Sequence, residues 1–149
     1  MNIVLKPVDQ SNRDECVRLK VTKAQAEYIA SNTSSLETAA RHPEVARPFV
    51  IFSDDIAVGF AMFAFETDYE DPDDRYWLWR FMIDEQYQGQ GYGKEALKHI
   101  ISYFKENGAN NIRLSTKESN INAIDLYTSY GFKPNGDTND GEIVLELNW

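Results

Sequence analysis

A glycine-rich turn between an apolar strand and a long amphipathic helix constrains this chain more than any other feature. The aromatic-rich run Tyr76–Ile83 is typical of a strand, and the turn Gln88-Gly-Gln-Gly-Tyr-Gly93 follows it. Apolar residues then recur at helical spacing, at Leu97, Ile100, Ile101 and Phe104. The first N–H groups of a helix are unpaired and lie at the positive end of its dipole, which makes an anion site. Glycines at this point let an anion as wide as a pyrophosphate approach the backbone.

The turn alone leaves its role open. Its spacing is not the dinucleotide fingerprint G-x-G-x-x-G, because the third glycine is Gly93 and not residue 94. It is not a phosphate-binding Walker loop either, because Glu95 follows Gly93-Lys94. A turn that merely connects strand to helix remains the alternative.

The order of predicted elements indicates an α/β (α+β) protein with one mixed sheet and a single domain over residues 1–149. Strands are predicted at Asn2–Val8 (an edge strand), Phe49–Phe52, Ile56–Phe65, Tyr76–Ile83, Ile112–Thr116 and Glu142–Leu147. Helices are predicted after Ser11 or Asn12, over Thr22–Ala30, from near Ser35, from the glycine-rich turn to Asn107-Gly108, and from Asn120 or Asn122 to Gly131. Turns are predicted at Asn135-Gly136 and Asp140-Gly141.

The charge balance favours a cationic partner. Fifteen Lys and Arg against 24 Asp and Glu give a net charge of −9, which argues against nucleic acid or an anionic membrane as partner. A single cysteine, Cys16, and two histidines give no basis for a disulfide or a metal site. The absence of a signal sequence, and a longest apolar run of ten residues, predict a soluble, cytoplasmic protein.

Three spaced motifs together carry a family resemblance: Gln88-x-x-Gly91-x-Gly93, Asn120-x-x-Ala123 and Leu126-Tyr127-x-x-x-Gly131-Phe132. With them the chain resembles the GCN5-related N-acetyltransferase (GNAT) family from about Ile3 to Leu147. Within that family it is most similar to bacterial spermine/spermidine N-acetyltransferases. The resemblance implies a GNAT-type domain whose central mixed sheet is flanked by helices. Two of its strands, Tyr76–Ile83 and Ile112–Thr116, splay apart to form a cleft for acyl-CoA.

The resemblance also assigns residues to acetyl-CoA, the implied donor. The pantetheine arm is expected to pair like an added strand with Phe81, Met82 and Ile83. The pyrophosphate is expected on the turn, at Gln88, Gly89, Gln90, Gly91, Tyr92, Gly93 and Lys94. A second contact stretch is expected at Asn120, Ile121, Asn122 and Ala123.

Tyr127 occupies the general-acid position of the family. A phenol with a pKa near ~10 can donate to a developing thiolate of pKa ~8.5 when the two are within hydrogen-bond reach. A plain core aromatic is the alternative, since helical spacing places Tyr127 on the buried side. An N–H near Met82 is the expected oxyanion donor. No base is evident, because Trp79 stands where relatives often have a carboxylate; Glu66 or a chain of waters is the substitute.

An acidic run after the second predicted hairpin strand suggests binding of a polycation. It comprises Glu66, Asp68, Glu70, Asp71, Asp73 and Asp74. Tyr28, Glu66 and Trp79 are the expected acceptor contacts, with a solvated loop and ordinary core aromatics as the alternatives.

The predicted reaction is acetyl transfer from acetyl-CoA to a primary amine of spermine or spermidine, by a homodimer. The alternatives are another amine (a protein N-terminus, a lysine or an amino sugar) and a non-catalytic acyl-CoA or polyamine sensor.

Overall fold

The computed structural model describes all 149 residues and contains one seven-stranded mixed sheet. Its strands are β1 (Ile3–Pro7), β2 (Ala46–Ser53), β3 (Ile56–Phe65), β4 (Tyr76–Ile83), β5 (Asn111–Thr116), β6 (Lys133–Asn139) and β7 (Glu142–Asn148). They lie in the order β1-β2-β3-β4-β5-β7-β6, and only β4 and β5 are parallel. The predicted fold class and the edge position of β1 are therefore confirmed.

Helices cover both faces of the sheet. They are α1 (Arg13–Arg18), α2 (Asn32–Arg41), α3 (Tyr92–Glu106) and α4 (Ile121–Ser129). On one face, Leu97 and Phe104 of α3 pack against Phe63, and on the other, Cys16 and Leu36 pack with Phe60. Strand β3 contributes side chains to both cores, which explains why it is almost entirely apolar. No helix combines the length and apolar character that crossing a bilayer requires.

The predicted helix over Thr22–Ala30 is wrong, because only Gln25–Glu27 forms a single 3₁₀ turn. Helix α1 ends at Arg18, and the chain is then drawn to the end of β4, where the Lys20 N–H donates to Asp84 Oδ1 at 2.8 Å. This tertiary bond holds Lys20 outside any helix, two residues before the segment, and the bonds between Thr22 and Gln25 then close a short turn instead of a longer helix.

The predicted turn at Asn135-Gly136 is also wrong, because these residues lie inside β6. The register of β6 on β7 shifts between Pro134 and Thr138, and Gly136 has a φ of +88°. The dipeptide is therefore part of a β-bulge, and Asp140-Gly141 alone makes the turn to β7.

Strands β4 and β5 pair as neighbours in the sheet at one position and then diverge. Trp77 with Arg113 is the single residue pair between them. The splay expected for these two strands is therefore present, and the edge of β4 that faces β5 has no strand partner beyond Trp77.

Strand β4 carries a β-bulge just past that point. Its register on β3 passes from Leu78 opposite Phe63 to Arg80 opposite Met62, which leaves Trp79 as an extra residue. Leu78 and Phe81 consequently both contact the α3-side core, while Trp79 packs toward the α1–α2 side. The bulge thus redirects the side chains at the start of the splay.

Candidate functional site

A cleft of about 1510 Å³ opens where β4 and β5 diverge. Its walls come from the segment between α1 and α2, from β4 and the glycine-rich turn, from β5 and the start of α4, and from the β6–β7 hairpin. Most residues predicted for the site line this cleft: Tyr28, Glu66, Trp79, Phe81, Met82, Ile83, Gln88, Gly89, Tyr92, Gly93, Asn120, Asn122, Ala123 and Tyr127. The side chains of Gln90, Lys94 and Ile121, together with Gly91, are not part of its lining. Ile121 is 58% exposed.

The glycine-rich turn presents free N–H groups at the start of α3. Gly91 precedes the helix with a left-handed φ of +90° and provides no side-chain cap. The Glu95 N–H donates to Gly91 O, which leaves the N–H groups of Tyr92, Gly93 and Lys94 without an intrahelical acceptor. Lys94 therefore contributes its backbone at this point even though its side chain lies outside the cleft. The arrangement can hold an anion by main-chain donors.

Close packing of β3 on β4 fixes the strand beside this turn. A β-carbon on Gly59 would lie 2.5 Å from Met82 O and 2.9 Å from Ile83 Cδ1. Glycine is therefore required at this position, and it allows β3 to support Met82 and Ile83 from behind. The unpaired edge of the same strand faces the cleft.

Tyr127 on α4 is both a core residue and a cleft residue. It is 8% exposed, and its ring packs edge-on against Phe132 at a centroid distance of 5.5 Å. No group of the chain hydrogen-bonds its hydroxyl. Burial raises the pKa of Tyr127 well above its ordinary value, so the phenol stays protonated and can act as a hydrogen-bond donor.

Six carboxylates line the cleft, and we call them the acidic rim: Glu66, Asp71, Asp74, Asp137, Asp140 and Glu142. The first three belong to the predicted acidic run, of which Asp68, Glu70 and Asp73 lie outside the cleft lining. The other three come from the β6–β7 hairpin and were not predicted, because β6 was not recognised. The rim does not bring three potential metal ligands into one group.

Two arginines offset part of this negative charge. Arg113 contacts Asp74 Oδ1 at 3.2 Å and Glu146 Oε1 at 2.6 Å, so its charge is already paired. Arg80 donates from Nη1 to Trp79 O at 3.0 Å, while its buried Nε has no acceptor. Burial lowers the pKa of Arg80, and the charge of Glu142 opposes that shift. The rim therefore remains net negative.

The side chains at the bulge include no carboxylate. Trp79 lies beside His42, with ring centroids 6.3 Å apart, and no acidic group replaces it on β4. Glu66 lies at the end of β3, where its carboxylate raises the pKa of the Tyr69 hydroxyl. Glu142 accepts a hydrogen bond from Ser115 Oγ at 2.8 Å. Carboxylates are thus present in the cleft, but not at the position that the resemblance implied for a base.

Comparisons with known proteins agree with this geometry. The model of the acetyltransferase (GNAT) family matches residues 12–132. The "Spermine/spermidine N(1)-acetyltransferase" of Bacillus subtilis (strain 168) is 39% identical over 149 aligned residues, which cover 97% of each chain. The "[Ribosomal protein bS18]-alanine N-acetyltransferase" of Escherichia coli (strain K12) is 32% identical over 79 residues, or 47% of this chain and 53% of that protein.

The fold recurs in a solved structure of an aminoglycoside acetyltransferase, AAC(6')-Ib, in complex with coenzyme A. That structure covers 99% of this chain and 95% of its own, with a TM-score of 0.78 and 14% identity. At this identity the likeness concerns the fold alone.

Proposed function

The chain belongs to the acetyltransferase (GNAT) family, and we propose that it transfers the acetyl group of acetyl-CoA to a primary amine of spermine or spermidine. The relationship to the Bacillus subtilis polyamine acetyltransferase carries the acceptor part of this proposal. That alignment spans 97% of the chain, so it extends over nearly all of the residues that line the cleft.

Main-chain groups would hold the donor. The unpaired edge of β4 at Phe81, Met82 and Ile83 is free to pair with the pantetheine arm, as an added strand would. The free N–H groups of Tyr92, Gly93 and Lys94 are suited to the pyrophosphate, because they lie at the positive end of the α3 dipole. Gln88 and Gly89 complete the turn, and Asn120, Asn122 and Ala123 form the facing wall at the start of α4. Gln90, Gly91 and Ile121 do not line the cleft, and their contact with acetyl-CoA stays a prediction.

Bound acetyl-CoA supplies the thioester that the amine attacks. In the overall change the ammonium nitrogen loses two protons, a C–N bond forms, the C–S bond breaks, and the departing thiolate takes up one of the two protons. One proton is released for each amide made. The chain must therefore accept a proton from the amine and provide a donor at the sulfur.

Tyr127 is our candidate for the donor at the sulfur. Because burial raises its pKa further above the ~8.5 of a thiol, complete transfer of its proton to a thiolate is uphill. We therefore assign it hydrogen-bond donation to the developing thiolate. The transfer becomes complete only when the phenol regains a proton that the amine has released.

The acidic rim is our candidate for the acceptor site and for the route of that proton. Its carboxylates stabilise the ammonium groups of a polyamine, although each exposed contact contributes less than about 1 kcal/mol. Tyr28 and Trp79 line the same cleft and can contact methylene and ammonium groups. Trp79 stands where the resemblance implies a carboxylate base, and we propose that Glu66, at the end of β3, acts as the base instead.

The test is release of free thiol from acetyl-CoA in the presence of spermine, spermidine, putrescine, a lysine peptide or an amino sugar. Cys16 is fully buried and its pKa is raised to about 11, so the folded protein itself contributes little signal to a thiol reagent. We expect fast release with spermine and spermidine only. Release with the peptide or the amino sugar alone would contradict the polyamine acceptor and leave the acetyltransferase assignment in place.

A second measurement separates the enzyme from a sensor. Saturable binding of acetyl-CoA without thiol release under any of these conditions would favour the sensor. The cytoplasmic location and the homodimer stay predictions, and light scattering on the purified protein tests the dimer.

A further inference from the structure

We infer that the segment Thr22–Ala30, which we call the strap, couples the donor end of the cleft to the acceptor end, with Gln25 as its positioning residue. The inference rests on the proposed function, because it takes the glycine-rich turn as the donor site. It concerns contacts that neither the family motifs nor the sequence pattern indicates. They join residues far apart in sequence across the mouth of the cleft.

One end of the strap is held by a reciprocal pair of amides. Gln25 Nε2 donates to Gln88 Oε1 at 3.0 Å, and Gln88 Nε2 donates to Gln25 Oε1 at 2.8 Å. Gln88 Nε2 also donates to Ile83 O at 2.9 Å. Gln25 therefore fixes a side chain that connects the glycine-rich turn to the last residue of β4.

The other end of the strap is held by the loop between β5 and α4. Tyr28 donates from its hydroxyl to Ser119 O at 3.3 Å, and Lys117 Nζ donates to Glu27 O at 3.4 Å. Lys117 also lies 6.0 Å from the centre of the Tyr28 ring. Parallel strands end at the same edge of a sheet, so the strap spans the gap between the ends of β4 and β5.

The internal order of the strap depends on Gln25 as well. The Thr22 N–H donates to Gln25 Oε1 at 3.2 Å, and the Gln25 N–H donates to Thr22 Oγ1 at 3.3 Å. These bonds flank the only regular turn of the segment, Gln25–Glu27. The strap is otherwise irregular, and Lys23, Ala24, Ala26 and Glu27 are exposed.

Donor binding and strap order must influence each other equally if they share Gln88. A ligand that holds the turn in place favours the Gln25–Gln88 pair, and an ordered strap in turn favours that ligand. Tyr28, three residues after Gln25, lines the same cleft and is one of the residues that we propose for the acceptor. Binding of the donor therefore orders the strap, and with it Tyr28, before the amine reacts.

The experiment measures the affinity for CoA by calorimetry and amide hydrogen exchange with and without CoA. The proteins are the wild type, Gln25→Ala, Gln88→Ala, the double variant and the control Gln10→Ala, an exposed glutamine in the loop before α1. In the wild type we expect CoA to slow exchange in both the turn and the strap. In Gln25→Ala we expect CoA affinity to fall about five-fold, as the loss of one or two partly buried hydrogen bonds implies.

Further readouts separate coupling from a loss of fold. In Gln25→Ala, CoA should still protect the turn but no longer the strap, and the double variant should bind CoA no more weakly than the weaker single variant. Gln25→Leu keeps nearly the size of the side chain but can neither donate to Gln88 nor accept from it, and it should show the same loss of strap protection. Wild-type affinity together with intact strap protection in both Gln25 variants would overturn the inference. Failure of the wild type to bind CoA would instead refute the proposed donor site, and this outcome is measured on the wild type alone.

Discussion

Replacement of Tyr127 by phenylalanine separates catalysis from stability in this protein. The ring of Tyr127 packs on Phe132 inside the α3-side core, whereas its hydroxyl faces the cleft without a hydrogen-bond partner from the chain. Tyr127→Phe keeps the packed ring and removes only the group that we assign to the developing thiolate. Tyr127→Ala removes both.

The two variants should differ in stability by several kcal/mol. A buried hydroxyl without a partner costs ~1–3 kcal/mol, and the opening to the cleft reduces this, so Tyr127→Phe should stabilise the free protein by about 0–1 kcal/mol. For a chain of this size that corresponds to a rise in Tm of up to roughly 4 °C. Tyr127→Ala should cost ~3–5 kcal/mol, because it leaves a cavity beside Phe132.

The assay pairs thermal unfolding with steady-state thiol release. Tyr127→Phe should lower kcat by ~10²–10⁴, the usual contribution of a positioned acid, while the affinity for CoA stays within about two-fold of the wild type. Wild-type turnover in Tyr127→Phe would refute the assigned role. A loss of 2 kcal/mol or more in the same variant would show that the hydroxyl has a structural partner, contrary to the absence of a hydrogen bond to it from the chain.

The other predictions concern stability and the acidic rim. Burial raises the pKa of Cys16 from 9.0 to about 11, so between these pH values the unfolded chain releases a proton that the folded chain keeps, and stability falls as the pH rises. Cys16→Ala should remove roughly 2–3 kcal/mol of this alkaline decline in urea titrations, and an unchanged slope would contradict the burial of the thiol. Gly59→Ala places a β-carbon against Met82 O and should cost about 3 kcal/mol; an unchanged urea midpoint would contradict the close approach of β3 to β4. Arg113→Met leaves the carboxylate of Glu146 buried without its cation and should cost about 3 kcal/mol, most of which the double variant with Glu146→Gln should restore. Glu142→Gln should lower kcat/KM for spermine by up to about five-fold at low salt and much less at high salt, and equal effects on a monoamine would argue against the rim as a polycation site.

The predictable parts of the fold are those with strong local patterns. The bounds of β4 agree residue for residue with the predicted Tyr76–Ile83, because an apolar run is flanked by charged loops on both sides. The apolar run Ile56–Phe65 predicts a strand, and β3 has the same bounds. The end of α3 at Asn107-Gly108 follows from helix periodicity and a C-terminal glycine with positive φ.

The parts that the sequence did not reveal depend on partners far along the chain. The bulge at Asn135-Gly136 resembles a turn locally and becomes a strand only because β7 pairs with it. The bonds between Gln25 and Gln88 join positions 63 residues apart, and no periodicity reports them. The β4 bulge is likewise visible only as a register shift against β3, so the orientation of Arg80 toward the cleft could not be predicted.

The single ladder pair between β4 and β5 divides the sheet into two halves that can fold at different times. Strands β1–β4 use residues 3–83 and strands β5–β7 use residues 111–148, so each half pairs within its own stretch of chain. The seam at Trp77 and Arg113 is parallel and needs α3 as a crossover, so we expect it to form after the antiparallel pairs and past the folding transition state. Substitutions at the seam should accelerate unfolding and leave the folding rate nearly unchanged. The cleft is then the last part of the molecule to assemble and the first to come apart.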